Sequence, residues 1–432
     1  MKRWAFLKIV LIFSSVFMFI QLLIWTKFSS KEIGEPNHSR VKDVIKALVN
    51  VWDHNNAKLF LMDPDILMEY MEDKADGHTC GSFCQSQKKL VTFGVKGNVK
   101  RSLRPVFHRL RSYNFAVVDS IDEFPDKVDD ASFHVTSHVF LQDMTHPEPT
   151  IHILVLYERA AGFLWHSKIQ VASSDLAFGY DAGSYKNFDL EPAVIDGISL
   201  YIPKPVDKFL NSVPQSKYIE CDQVRADNFH KSYPPDVSTK AQHFQRKARQ
   251  LIAQGKEVFD KLGIRFWISS GTLLGWYRQC DIITHPRYVD FGVWIKDYNP
   301  QLIPEMEKAG LPLKHLFGRV NDTFELSFQA GDIKLDLFFF YEESDHMWNG
   351  GTDVKNGAKL KYVFPKFRLC WTTLLNLHVR VPCPTLPYIE ANYGKGWATP
   401  VKEWSWKDSP TNVKQNGFWP KDQWDDVIQI YE

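Results

Sequence analysis

The sequence predicts a mixed α/β (α+β) chain: an N-terminal membrane anchor, an α+β stem domain and a C-terminal mixed-sheet domain. Three observations carry that reading. An uncharged apolar run, Ile9 to Trp25, follows the basic residues Lys2, Arg3 and Lys8. Short runs of β-branched and aromatic residues recur between residues 90 and 204. From residue 241 a long amphipathic helix gives way to a strand, a Ser-Gly turn and a short helix, then to strands that each carry a single acid. The expected divisions are 1–27 for tail and anchor, 28–40 for a luminal tether, 41–220 for the stem and 221–432 for the last domain. At 432 residues both units have enough chain to bury a core.

Seventeen residues of helix span roughly 26 Å, enough for the thinner membranes of the early secretory pathway. The preceding basic residues favour a short cytosolic tail and a luminal bulk. The run ends in Leu-Leu-Ile-Trp rather than in small residues, which favours an uncleaved anchor over a signal peptide. In the lumen, Asn37 and Asn321 begin acceptor sequons for N-glycosylation. Six cysteines (Cys80, Cys84, Cys221, Cys280, Cys370, Cys383) are compatible with disulfides, with the pairing open. His78, Cys80 and Cys84 are an alternative zinc cluster, but no second cluster stands at matching spacing. With 52 Lys+Arg against 51 Asp+Glu, the charge balance gives no reason to expect nucleic acid as partner.

In the stem, Val41, Val44, Ile45, Leu48 and Val49 share one helical face. Asp63-Pro64 reads as an N-cap and first turn. Strands are expected at "VTFGV", "NFAVV", "HVTSHVFL", "TIHILVLYE" and "GFLWHS", and Asp196-Gly197 as a hairpin turn. His134, His138, His152 and His166 are scattered on strands and read as structural. In the second unit, Phe244, Ala248, Leu251, Ile252, Phe259 and Leu262 form a helical stripe ended by Gly263. "IRFWISSG" then leads into Ser270, Gly271 and Thr272 and the helix "LLGWYRQ". Such a strand–turn–helix aims backbone N–H groups at a phosphate. In "YVDFGVWI" Asp290 lies opposite the apolar Val289, Phe291 and Val293; in "DIKLDLFFFY" Asp336 lies opposite Ile333, Leu335 and Leu337. Acids in runs this apolar are costly unless paired or coordinated. Placed side by side, the two carboxylates would meet on one cation. His285 on the loop either supplements the site or is simply solvated, and Lys366 and Arg368 either approach phosphate or stand as exposed charges. Trp397, Trp404, Trp406, Trp419 and Trp424 serve either sugar stacking or edge packing, and packing explains most such residues.

The strings "GTLLGWYRQCDIITHPRYVDFGVWI", "KLDLFFFYEESDHMWNGGT", "FPKFRLCWT" and "YIEANYGKGWATPVKEWSWK" resemble the fukutin family, and the likeness extends to "IHILVLYERAAGFLWHS" in the stem. More broadly, the second unit resembles the LicD branch of the nucleotidyltransferase fold, whose members transfer phosphoribitol or phosphocholine from cytidine-diphosphate donors. The resemblance implies a Golgi single-pass type II enzyme that moves ribitol 5-phosphate from CDP-ribitol to a phosphorylated O-mannosyl glycan of dystroglycan type. It further implies a fukutin-related protein and other Golgi glycosyltransferases as partners. Ser270, Gly271, Thr272 and Arg278 would then hold donor phosphates, and Asp290 and Asp336 would be the catalytic carboxylates and hold Mg²⁺ or Mn²⁺. The family pattern has Asp-x-Asp on the first strand, and Tyr288 stands where its first Asp would. A neutral phenol is a poor ligand for a hard cation. Two functions therefore remain: an active ribitol-5-phosphate transferase, and a catalytically impaired subunit that assembles with an active glycan phosphotransferase. A secreted carbohydrate-binding protein is a third reading, and it requires a cleaved signal peptide.

Overall fold

A computed structural model describes residues 38–53, 58–72, 82–85, 90–145, 150–169, 178–284 and 288–431. The apolar segment 9–25, Asn37, His78, Cys80, His285, Pro286 and Arg287 lie outside them, as does the side chain of Cys84. Among the described residues no helix is long and apolar enough to cross a membrane.

The first unit is built on a nine-stranded sheet. Its strands are β1 (Leu59–Leu61), β2 (Leu90–Gly97), β3 (Phe115–Glu123), β4 (His134–Asp143), β5 (Thr150–Glu158), β6 (Phe163–His166), β7 (Gly183–Lys186), β8 (Asp189–Ile195) and β9 (Ile198–Lys204). Seven run in the order β3-β4-β5-β2-β1-β9-β8, with β6 and β7 continuing from β5. The β2–β5 and β1–β9 pairs are parallel, so the sheet is mixed. Helix α1 (His38–Asp53) buries Ile45, Leu48, Val51 and Trp52 against it. Helix α2 (Pro64–Glu72) is capped as its sequence demands: the Ile66 N–H donates to Asp63 Oδ1 at 3.4 Å. The β8–β9 hairpin turns at Asp196 and Gly197, both at positive φ.

His138, His152 and His166 are buried and hydrogen-bonded. His138 Nδ1 meets His152 Nε2 at 3.0 Å, and His138 Nε2 and His166 Nδ1 each lie 2.8 Å from the Ser167 carbonyl. Burial pushes the His138 imidazole down to about 4 and that of His166 to about 3. The three are neutral structural groups; His134 is exposed.

The second unit starts with α3 (Gln223–Ser232) and α4 (Thr239–Leu262). Gly263 ends α4 at φ 69°, a left-handed conformation that glycine adopts without strain. Then come β10 (Phe266–Ile268), α5 (Ser270–Gln279), β11 (Tyr288–Trp294), β12 (Leu313–Arg319), β13 (Asp322–Ala330), β14 (Ile333–Glu342), β15 (His346–Asp353), β16 (Ala358–Pro365), β17 (Arg368–Leu374), β18 (Leu377–Cys383), α6 (Thr385–Tyr393), β19 (Val413–Phe418) and β20 (Ile428–Ile430). The sheet order is β19-β16-β15-β14-β13-β12-β20, with β11 parallel to β14 and β10 antiparallel to β11. On β14, Ile333, Leu335, Leu337 and Phe339 are buried while Lys334, Asp336 and Phe338 are half-buried. Helix α4 covers the apolar face. A Cβ on its Gly255 would fall 2.9 Å from Leu335 and 3.2 Å from Phe291, so the helix lies hard against the sheet. Each buried Leu or Phe there contributes about 1.5–3 kcal/mol. The opposite face is left open.

Two separate cores result, one running from Ile45 to Tyr218 and one from Ala248 to Ile389. The β17–β18 hairpin crosses between them: Trp371 joins the first core. The His378 ring lies 4.0 Å from both the Phe163 and Trp371 rings, and its Nε2 is 3.0 Å from Ser184 Oγ. A disulfide, Cys370–Cys383, ties the open end of the hairpin, and a second joins Cys221 to Cys280.

Candidate active site

Local chemistry puts the helix N-terminus against the acid on the neighbouring strand. Ser269, in extended conformation, precedes α5 and donates its N–H to the Asp290 carbonyl at 2.9 Å. Ser270 then takes φ 42°, a left-handed conformation unusual outside glycine, and starts the helix. A Cβ on Gly292 would fall 2.2 Å from the Trp267 ring, so only glycine at this position lets the indole of its β10 partner lie across β11.

Asp290 is 2% exposed. The Thr272 N–H donates to its Oδ2 at 3.4 Å, and its own N–H donates to Thr272 Oγ1 at 2.9 Å. Ser270, Gly271 and Arg278 line the open cleft, but Thr272 does not. Thr272 instead holds Asp290 through its amide and its hydroxyl oxygen, and the hydroxyl proton stays available to donate.

Asp336 stands directly across from Asp290 in the parallel register, so the two carboxylates share the open face of the sheet. Ser327, opposite Asp336 on β13, donates its hydroxyl to Asp336 Oδ1. Burial, then the Asp336 charge, raises the Asp290 carboxyl to about 8, against the opposing pull of the Thr272 and Gly271 amides. Burial also raises Asp336, with Ser327 and Lys334 acting the other way. A third acid stands beside them. Glu325, on the same face of β13, is raised to about 8 by burial and then by Asp336 and Asp290. Its signal was present in the sequence: one acid in the apolar run "FELSF", the argument that singles out Asp290 and Asp336. Lys334 lies opposite Tyr288 across the β11–β14 pair. Tyr288 is 43% exposed on the Asp290 face, and burial, Asp290 and Asp336 all raise its phenol, so it keeps its proton.

Arg278 is 6% exposed, its guanidinium 4.6 Å from the centre of the Phe229 ring on α3. Nη2 donates to Gln279 Oε1 at 3.0 Å, while Nε has no hydrogen-bond partner among the described residues. Burial lowers its pKa. The Cys221–Cys280 disulfide holds α3 against the end of α5, and Arg225 Nε adds a 2.7 Å bond to the Tyr277 carbonyl. Acids, Arg278 and the aromatic residues Trp397, Trp404 and Trp406 line one cleft of about 1500 Å³. Trp419 is buried instead, its indole N–H donating to Thr352 Oγ1 at 3.2 Å, and Trp424 packs over Gly357. Lys366 pairs with Glu342 at 3.6 Å, and neither it nor Arg368 lines the cleft.

Among the described residues no three His, Cys, Asp or Glu side chains group tightly enough to hold a metal by themselves. The hard-oxygen pair Asp290–Asp336 does fit Mg²⁺ or Mn²⁺, since such ions commonly take one or two carboxylates and complete their shell with water and substrate phosphate. Among the described residues no guanidinium or ammonium is bonded to either carboxylate, which leaves the pair open to such a cation.

Residues 1–249 match the family described as Fukutin N-terminal, and residues 263–384 match the LicD/FKTN/FKRP nucleotidyltransferase domain. Ribitol-5-phosphate transferase FKTN of Homo sapiens is 39% identical over 98% of both chains, and its Mus musculus counterpart 38% over the same shares. The chain belongs to the fukutin family. An uncharacterized Caenorhabditis elegans protein is 27% identical over 54% of this chain and 62% of its own. In this fukutin-family protein the cleft draws on more than the LicD-type match: Phe229 precedes residue 263, and the three tryptophans follow residue 384.

Proposed function

We propose that this chain is a ribitol-5-phosphate transferase that uses CDP-ribitol as donor and a phosphorylated O-mannosyl glycan of dystroglycan type as acceptor. The observation that carries the reading is the in-register Asp290–Asp336 pair at the N-terminus of α5, inside a cleft that also holds a buried guanidinium. The relatives named as ribitol-5-phosphate transferases support ribitol 5-phosphate as the group transferred.

Asp290 and Asp336 would hold Mg²⁺ or Mn²⁺, which when bound neutralises diphosphate charge. Arg278, with no carboxylate bonded to it among the described residues, and the start of α5 at Ser270 and Gly271 would bind the donor phosphates. The acceptor hydroxyl oxygen forms a bond to the ribitol-bearing phosphorus, the bond from that phosphorus to the bridging oxygen breaks, and CMP leaves with the electron pair. Asp336 orients the hydroxyl and takes its proton. Tyr288 keeps the first strand to a single carboxylate.

The test is an assay of the luminal chain with CDP-ribitol, the phosphorylated glycan and either ion. Transfer that is lost in Asp290→Asn supports the reading. Robust wild-type transfer indifferent to Asp290→Asn, or no wild-type transfer at all, overturns it; with the latter, turnover restored by Tyr288→Asp would identify an impaired subunit.

We place the bulk of the chain in the Golgi lumen behind an uncleaved type II anchor at Ile9–Trp25, with Asn321, exposed between β12 and β13, open to glycosylation. Retention of the mature protein in carbonate-washed membranes supports this, and a soluble form beginning near residue 28 rules it out.

A further inference from the structure

At about 1500 Å³ the cleft exceeds the ~300–1,000 Å³ that one small ligand fills. One limb of it is made by β15 and by the loop after α6, and this limb has the features of a sugar site. Trp404 and Trp406 are 37% and 43% exposed while lining the cleft. Neither is loosely placed. The Trp404 ring lies 4.8 Å from that of Tyr393, and the Tyr362 hydroxyl donates to the Trp406 carbonyl at 2.9 Å. A Cβ on Gly351 would already lie 3.2 Å from the Trp406 ring, so the indole rests on the strand, and the Lys407 ammonium lies 5.3 Å from its centroid. Held aromatic faces of this kind match the C–H face of a pyranose.

Polar features point the same way. Asn349 is 6% exposed and lines the limb, yet among the described residues its Oδ1 has no hydrogen-bond partner. A buried acceptor left unmade is costly, and a sugar hydroxyl would satisfy it. Lys355 and Lys402 stand exposed at the rim, in no ion pair among the described residues. Lys407 differs, being paired with Asp353. Asp336 acts electrostatically on Glu325, and Glu325 in turn on Tyr362, which puts the limb beside the acids. Trp404, Trp406 and Lys402 lie beyond residue 384, where the LicD-type match ends.

We propose that this limb is the acceptor subsite: Trp404 and Trp406 stack on the sugar rings, Asn349 Oδ1 accepts from a hydroxyl, and Lys355 and Lys402 bind the acceptor's own phosphate. The assignment rests on the transfer reading above and adds where, and by which groups, the acceptor is recognised. In steady-state assays of the luminal chain, Trp404→Ala and Asn349→Ala should each raise the acceptor KM about tenfold with the CDP-ribitol KM unchanged. Lys402→Gln, alone or with Lys355→Gln, should erode the preference for the phosphorylated glycan over its dephosphorylated form. An acceptor KM that stays within twofold of wild type overturns the proposal, as does an effect confined to the donor KM. Direct titration of the phosphorylated glycan, followed by intrinsic tryptophan fluorescence, keeps the two readings separable. If wild type binds the glycan and the variants do not, the subsite stands even where CDP-ribitol gives no turnover. Wild-type and variant chains that bind it equally, or not at all, overturn the subsite.

Discussion

Asp290→Asn should abolish transfer and at the same time stabilise the metal-free protein above neutral pH. The carboxyl is raised from its usual 3.8 to about 8. Because the folded-state value lies above the unfolded one, folding penalises the ionised form. The penalty is absent below the usual value, grows as pH rises and is complete above about pH 8. A gap of about four pH units at about 1.4 kcal/mol each sets an upper bound of roughly 6 kcal/mol. Asp336 and Glu325 share the same site and protons, so removing one charge relieves only part of this, on the order of 2 kcal/mol. For a domain of this size that is roughly 4–8 °C in Tm. The amide keeps an oxygen for the Thr272 N–H, so the strand–helix contact survives the substitution. Thermal unfolding in EDTA at pH 5 and at pH 8.5 measures the effect. The gain should be small at the lower pH and largest at the higher, and Mg²⁺ should stabilise wild type more than the variant. Transfer activity should fall by about a hundredfold or more, the cost of losing a ligand charge at a phosphoryl transition state. An Asn variant no more stable than wild type at pH 8.5 would refute the claim that Asp290 carries uncompensated buried charge.

Tyr288→Asp adds a fourth carboxylate to a face that already holds Asp290, Asp336 and Glu325. Mn²⁺ affinity measured by titration should rise, and the metal-free Tm at pH 8.5 should drop; unchanged affinity would mean that position 288 does not face the cation. Arg278→Gln removes a buried guanidinium whose Nε has no partner, so it should raise the CDP-ribitol KM about tenfold or more while leaving the metal-free protein at least as stable. A stability loss without a KM change would make Arg278 a packing residue. In the first unit, burial lowers His138 to about 4 and His166 to about 3. Their neutral forms support the fold above the ordinary value of 6.5, and that support is lost progressively as pH falls toward 4. Hydrogen exchange of the β4 and β5 amides should accelerate over that window, and protection that stays flat would contradict it.

The two central acids were legible because each interrupts an apolar run with strand periodicity, and periodicity alone assigns them to the face opposite the core. Their juxtaposition was not legible. It depends on a parallel register between β11 and β14, with β12 and β13 intervening in sequence, and register is set by nonlocal packing. Glu325 carried the same local signal and was passed over, since a single acid between apolar neighbours gains meaning only from what the next strand presents. Thr272 shows the converse. A strand–turn–helix suggests amides aimed at a bound phosphate, and here the Thr272 amide is taken by the protein's own Asp290. The tryptophans divide as composition alone could not: Trp419 inside, Trp404 and Trp406 half-open on the cleft.

These misreadings have a common physical origin. Local pattern reports how one element divides its residues between core and solvent, and it does so well here. It does not report that a solvent-side face will be roofed over by a distant loop. In this chain α3, α5 and the segment after α6 enclose the open face of the sheet. The residues that local pattern assigns to water thereby become the partly desolvated acids, guanidinium and amide of the cleft. Each of them is left short of a partner by that enclosure, and the shortage is what a charged cation, a diphosphate and a sugar hydroxyl would relieve. The stability that the empty cleft forgoes and the affinity of the occupied one are two measures of the same electrostatic arrangement. For that reason the Asp290→Asn variant should gain in one as it loses in the other.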